Sequence, residues 1–222
     1  MAKTKSDHAL ALIKSGFAVI PIVGGSISSL IGDYIPTSTQ RSVEHSFELL
    51  KQRLMDLEDR IDPELVNKEE FAELFKSCYL TIVRTHQESK RRGAASLLSN
   101  LLLKEGDAEK RSYTELDHFA RCLDALSIGA IEVLGHVVAL AKSDREYGIG
   151  LVRKNFAGIQ QRVTNTAPDL LMGLLGELNS FNLVHLTGSP SMRSENYANY
   201  PVELPPLGVR FAEQILQLDT RS

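Results

Sequence analysis

Six apolar residues, Val43, Phe47, Leu50, Leu54, Leu57 and Ile61, recur at steps of 4, 3, 4, 3 and 4, and this seam constrains the chain more than any other feature. The charged residues between them, Glu44, Glu48, Lys51, Arg53, Asp56, Glu58, Asp59 and Arg60, are mixed in sign and define a solvated opposite face. The spacing predicts one long helix, opened by Thr37 or Ser38 after Pro36. Its seam can pack within the chain or pair with a second chain, and the amphipathic segments that follow make the internal partner the simpler expectation.

Those segments are marked by caps. Asp62-Pro63 and then Asn67 offer helix starts before Phe71, Leu74, Phe75, Cys78, Tyr79, Ile82 and Val83, a single apolar stripe. A polar interval, Thr85 to Arg92, separates that stripe from Ala94, Ala95, Leu97, Leu98, Leu101, Leu102 and Leu103, and Gly106-Asp107 ends the burial. Ser112 with Glu115 forms a capping box for a helix carrying Leu116, Phe119, Leu123 and Leu126. Ser127 caps another, with Ile131, Leu134 and Val138 inward.

Beyond a loop at 144–150, a weaker helix is expected over Leu151 to Val163 and a leucine-rich one after Thr166-Ala167-Pro168. Asn182 to Leu186 and Val202 to Leu204 read as short strands flanking a polar, turn-forming stretch with Gly188, Pro190 and Asn199, and Pro205-Pro206 opens a last helix. The predicted class is mainly α: a multi-helix bundle with a C-terminal winged-helix-like α+β module. The predicted division is a helical domain at 1–126 and the module at 127–222, with one continuous domain as the alternative.

Bulk chemistry narrows function. A net charge of -3 and a pI near 6.1 supply no general field for a polyanion. The leucine-rich helix, Asp169 to Asn179, has no Lys or Arg, so a DNA reader is not expected there, and Arg153, Lys154 and Arg162 are the remaining route to phosphate. Cys78 and Cys122 match no zinc spacing and read as buried thiols of a reducing compartment. Glu115, His118 and Cys122 share one side of a helix, yet three residues without a matching pair elsewhere read as structural rather than as a metal site. Phosphate-loop, nucleophile-elbow and dinucleotide signatures are not found, and the carboxylate pairs Glu58-Asp59 and Glu69-Glu70 are of a kind common on exposed helix faces, which sequence does not distinguish from catalytic acids. No catalytic residue, metal or cofactor is assigned.

Two segments are candidates for contact. From Ser15 to Gly32 the chain carries no charge, and Pro21 with Gly24-Gly25 breaks it into a hairpin of two short helices. Phe17, Ile20, Ile22, Val23, Ile27 and Leu30 are its candidate membrane contacts, with packing into the core as the competing reading. Lys14 interrupts the apolar run after Lys3 and Lys5, against a secretory signal. Lys90, Arg91 and Arg92, with Arg84 and His86 upstream, are candidate anion contacts in what otherwise reads as solvated surface.

Pro21-Ile-Val-Gly-Gly25, Leu97-Leu-Ser-Asn-Leu-Leu-Leu103, Leu183-Val184 and Leu204-Pro-Pro-Leu-Gly-Val-Arg-Phe211 occur in an order that resembles the bacterial abortive infection alpha proteins. The resemblance implies a helical bacterial protein acting in phage defence, with no active site to carry over. The expected function is therefore a non-enzymatic interaction or regulatory protein that binds a protein partner or itself. A membrane-associated effector acting through the hairpin is the alternative, and an enzyme of unrecognised type is the third. The expected location is cytoplasmic, peripheral at the inner face of the membrane if the hairpin inserts.

Overall fold

The computed structural model describes residue 5 and residues 37–143, 152–187 and 197–216, and of residues 37–43 and 143 only the backbone. It divides into two compact units at the Asp124–Ala125 boundary. The described residues are mainly helical, with one small antiparallel sheet in the second unit.

The first unit holds α1 (Thr37–Asp56), α2 (Lys68–Arg84), α3 (Glu88–Leu101) and α4 (Tyr113–Ala125). Leu50, Leu54, Leu57 and Ile61 of the seam are buried, against residues of the same unit, with α1 packing on α2 and α3. The helix stops at Asp56, five residues before the seam does. Ile61 is spent on a different structure: it bridges Leu103, with Lys104 N donating to Arg60 O at 2.8 Å and Asp62 N to Leu102 O at 2.9 Å. A two-strand contact thus replaces the last helical turn and ties the two long loops of the unit together.

α3 is the centre of this unit, packing on both α1 and α2. Every residue from Gly93 to Leu101 is buried, as expected of a helix covered all round. Gly93, Ala94, Ala95 and Ser96 supply the small side chains that let neighbours approach, and Leu97, Leu98 and Leu101 fill the rest. The helix begins at Glu88, inside the expected polar interval, because Arg92 folds back onto Glu88 in an i,i+4 pair that supports the first turn. Asn67 caps α2 by accepting from Glu69 N and Glu70 N, so that carboxylate pair lies at a helix N-terminus, where negative charge is stabilising. Ser112 Oγ accepts from Glu115 N at 3.3 Å, as the capping box requires.

The second unit runs α5 (Ile128–Ser143), β1 (Val152–Asn155), α6 (Phe156–Arg162), α7 (Pro168–Ser180), β2 (His185–Leu186), β3 (Pro201–Leu204) and α8 (Pro206–Leu216). The strand order is β1-β3-β2, all antiparallel. β1 corrects the expected helix over 151–163. Val152, Phe156 and Ile159 are spaced as on a helix and are all buried, but Asn155 accepts from Gly158 N at 2.8 Å and starts the helix only at Phe156. The expected strand at 182–186 shrinks to two residues for a similar reason. Asn182 takes φ 56°, Asn182 N donates to Asn179 O and Leu183 N to Leu178 O, a Schellman termination of α7 that consumes the first residues of the segment.

The register places Arg153, Glu203 and His185 side by side across the three strands. Glu203 is 7% exposed at its side chain and is held by the Arg153 guanidinium, itself 70% exposed. On the opposite face Val152, Val202 and Leu204 are buried. α5 packs against α6, α7, α8 and β1 and supplies Ile131, Val133, Leu134, Val137 and Val138 to the core. Where α8 begins, Gly208 lies against the backbone at Leu183: a Cβ there would sit 1.9 Å from Leu183 O.

That contact gives a sharp test. Gly208→Ala is expected to cost more than about 3 kcal/mol, because backbone rather than a pliable side chain blocks the added methyl. Urea unfolding of the two proteins measures it, and the loss is expected in the transition of the second unit.

Candidate functional site

The hairpin residues Phe17, Ile20, Ile22, Val23, Ile27 and Leu30 lie outside the described residues, as does the turn-forming stretch with Gly188 and Pro190. No helix among the described residues is long and apolar enough to cross a membrane.

The basic run is built into the first unit. Lys90 Nζ donates to Asp124 O at 3.0 Å, near the C-terminus of α4, and Arg91 Nη2 donates to Thr85 O at 3.1 Å, at the C-cap of α2. Arg92 contacts Glu88 Oε1 through Nε at 3.1 Å and Nη2 at 3.0 Å, and the other Glu88 oxygen lies 2.8 Å from His45 Nε2 of α1. Those neighbours hold the Glu88 carboxyl below its ordinary value, His45 foremost. Arg84 pairs with Asp124 Oδ2, whose partner oxygen accepts from Thr81. Cations placed on helix C-terminal carbonyls satisfy groups the helix itself cannot. An incoming anion therefore competes with internal bonds at Lys90, Arg91 and Arg92.

Among Glu115, His118 and Cys122, the structure brings His118 Nε2 to 3.5 Å from Cys122 Sγ. Burial pushes the Cys122 thiol up to about 12, so at neutral pH it stays protonated and is a poor ligand and nucleophile. Burial raises Cys78 as well. Among the described residues no three His, Cys, Asp or Glu side chains are grouped to hold a metal ion.

Two other places stand out. The first is the outer side of α7 in the second unit. Asp169, Leu170, Gly173, Asn179 and Ser180 are exposed there, with Leu170 57% exposed, while Leu171, Leu174, Leu175 and Leu178 are buried on the other side. A Cβ at Gly173 or Gly176 would meet nothing within 4 Å. The other described helical glycines of this unit each have an internal reason to lack a side chain. A Cβ at Gly129 would lie 3.3 Å from Leu174, at Gly135 3.2 Å from Leu216, at Gly158 3.0 Å from Asn155, and at Gly208 against backbone. Each helical glycine costs about 1 kcal/mol relative to alanine, and packing within the unit offers no return for that cost at Gly173 and Gly176.

The second is a cleft of about 410 Å³ in the first unit, between the loop that ends at Asn67 and the loop 102–112. Leu101, Val66 and the 74% exposed Leu65 give it apolar surface. Its polar wall follows from a buried amide. Asn100, at the inner end of α3, donates Nδ2–H to Glu109 O at 2.8 Å and accepts from Arg111 N at 2.8 Å, which fixes the loop over the helix end. Gly106 makes the turn at φ 85°. Asp107 then receives a two-point bond from Arg60, Nε to Oδ2 at 2.8 Å and Nη2 to Oδ1 at 2.6 Å, and Arg60 also reaches Glu109 at 3.1 Å. The Arg60 guanidinium holds the Asp107 carboxyl below its ordinary value, and the carboxylates raise Arg60 in turn.

Sequence reasoning read Asn67 and Ser112 as caps and did not single out Lys110, Arg111 or Tyr113. The local signal contains the caps but nothing that brings the two loops together.

No protein-family model, no curated protein and no solved structure matches this chain.

The Arg60–Asp107 bond carries a pH-dependent prediction. Because the folded pKa of Asp107 lies below its unfolded value, its contribution is complete above about pH 4 and is lost as pH falls through the lower, folded value. Asp107→Asn is expected to cost about 1–2 kcal/mol at pH 7, and the difference from wild type should shrink below about pH 4 in urea titrations.

Proposed function

We propose that this chain is a non-enzymatic interaction protein whose C-terminal unit docks another protein on the outer side of α7. The observation that carries this reading is the exposed Leu170 beside Gly173 and Gly176, two glycines with room for a side chain and no internal reason to lack one. Glycine lets a second backbone approach closely, and a partner element lying on this face supplies the missing reason. The order helix, strand, helix, helix, strand, strand, helix, with β3 in the middle of the sheet, supports reading the unit as a winged helix. α6 and α7 then form the helix–turn–helix, with α7 in the recognition position. A DNA reader needs cations on that helix, and residues 168–180 contain neither Lys nor Arg. The fold element is thus turned toward protein contact.

The resemblance to the abortive infection alpha proteins supports phage defence as the setting, in which such a contact would be regulatory. The membrane-effector alternative rests on the hairpin at 15–32, outside the described residues.

Affinity purification of the full chain from a bacterial host, wild type beside Leu170→Arg, tests the reading. Leu170→Arg is expected to keep its thermal midpoint, since exposed substitutions usually stay within about 0.5 kcal/mol, and to lose a partner that wild type retains. Gly173→Ala is expected to stabilise the chain by up to about 1 kcal/mol while weakening the same association. Identical recovery with all three proteins would overturn the assignment of the face.

A further inference from the structure

We propose that an apolar groove between α1 and α2 seats the chain's own uncharged segment 15–32, with Ile27, Leu30 and Ile31 as the residues that meet it, independently of the α7 face. Among the described residues the groove is lined by Phe47 and Leu50 of α1, Phe75, Tyr79 and Ile82 of α2, and Leu98 of α3. Ser46 completes the lining, which contains no charged side chain. Leu50, Phe75 and Leu98 are buried, whereas Phe47 and Tyr79 are half-buried. Phe71, Phe75 and Tyr79 form a row along α2, with successive ring centroids 6.0 and 6.4 Å apart, so the groove has an aromatic wall. Burial there raises the Tyr79 hydroxyl above its ordinary value.

The space in the groove is about 20 Å³, enough for little more than the tip of one aliphatic side chain. A small-molecule site needs about 300 Å³ or more. The groove therefore suits a polypeptide laid across it rather than a free ligand. A lining without charge gives a charged side chain no partner for its desolvation, so the fitting polypeptide is itself uncharged. Segment 15–32 is the longest uncharged run in the chain.

Reach selects the same segment. It ends at Gly32, five residues before α1 starts at Thr37. Phe47 and Leu50 stand ten and thirteen residues beyond Thr37, about 15 and 20 Å along the helix axis at 1.5 Å per residue. Covering the same distance backward from Thr37 takes about five to six extended residues or about ten to thirteen helical ones, which spans residues 24–32. Ile27, Leu30 and Ile31 are the Ile and Leu residues of that window, and their i, i+3, i+4 spacing puts all three on one face of a helix. So short a tether gives the segment an effective concentration of about millimolar, which favours it over a second copy or a lipid. Seated in the groove, these side chains are withheld from a bilayer.

The test is methyl NMR on the full chain with labelled Ile and Leu methyl groups. Nuclear Overhauser contacts are expected from the Ile27 and Leu30 methyls to the ring protons of Phe47 and Tyr79. A mixture of labelled and unlabelled chains, filtered for contacts between molecules, is expected to show none. Tyr79→Lys puts a charge at a half-buried position of the groove and is expected to keep the thermal transition while losing these contacts. Ile27→Asp changes no residue of the groove and is expected to release Leu30 as well. Absence of the contacts in wild type would overturn the proposal. So would contacts that appear only between molecules, which would make a second copy the occupant, or their replacement by contacts to acyl chains when anionic vesicles are added, which would make the segment a membrane element. Leu30 contacts that persist in folded Ile27→Asp or Tyr79→Lys would equally contradict it.

Discussion

Burial of one helix on all sides governs the first unit. In the first unit α3 is covered from Gly93 to Leu101, so any polar group it carries must find a partner inside. Ser99 does so by donating to Ser96 O, and Asn100 by clasping the loop at Glu109 and Arg111. That clasp has consequences along the chain. It sets the loop that offers Asp107 to Arg60, places Lys110 where it can reach Leu103 O, and delivers Ser112 to the start of α4. The wall of the cleft is therefore a product of satisfying one buried amide. In the second unit α5 has the central place, and Gly129 and Gly135 give Leu174 and Leu216 their room against it.

Much of the fold was legible because helix ends are chemical. Asn67, Ser112, Ser127 and Pro168 each announced a helix that the structure contains, and Ala130 N donates to Ser127 Oγ as a cap requires. Boundaries failed where a residue served two purposes. Ile61 continues the heptad pattern yet forms a bridge with Leu103, and Asn182 begins an apolar segment yet ends α7 with a positive φ. The spacing of Val152, Phe156 and Ile159 suits a helix, while the cap at Asn155 and the pairing of Arg153 with Glu203 make the first part a strand. Periodicity reports which residues are buried, and it cannot tell a continuous helix from a strand and helix that bury the same positions.

The candidate sites were less legible, since they arise from meetings between distant segments. Lys90, Arg91 and Arg92 look like a free basic run in sequence. In space they serve the carbonyls of Asp124 and Thr85 and the carboxylate of Glu88. Asn67 and Ser112 are 45 residues apart and line one cleft. The outer side of α7 was half visible: its lack of Lys and Arg is plain in the sequence, whereas the open space at Gly173 and Gly176 appears only once the other glycines are seen to be crowded.

The account turns on what the second unit presents to its surroundings, and DNA binding is the function that the proposed winged-helix reading of its element order would otherwise suggest. Fluorescence anisotropy of a labelled mixed-sequence duplex with the full chain, from about 20 to 200 mM salt, addresses this directly, because phosphate contacts strengthen steeply as salt is lowered. The account predicts no saturable binding at either end of that range. A complex tighter than about 1 µM at low salt, weakening as salt rises, would contradict it and return α7, Arg153 and Arg162 to the role of a DNA-reading surface.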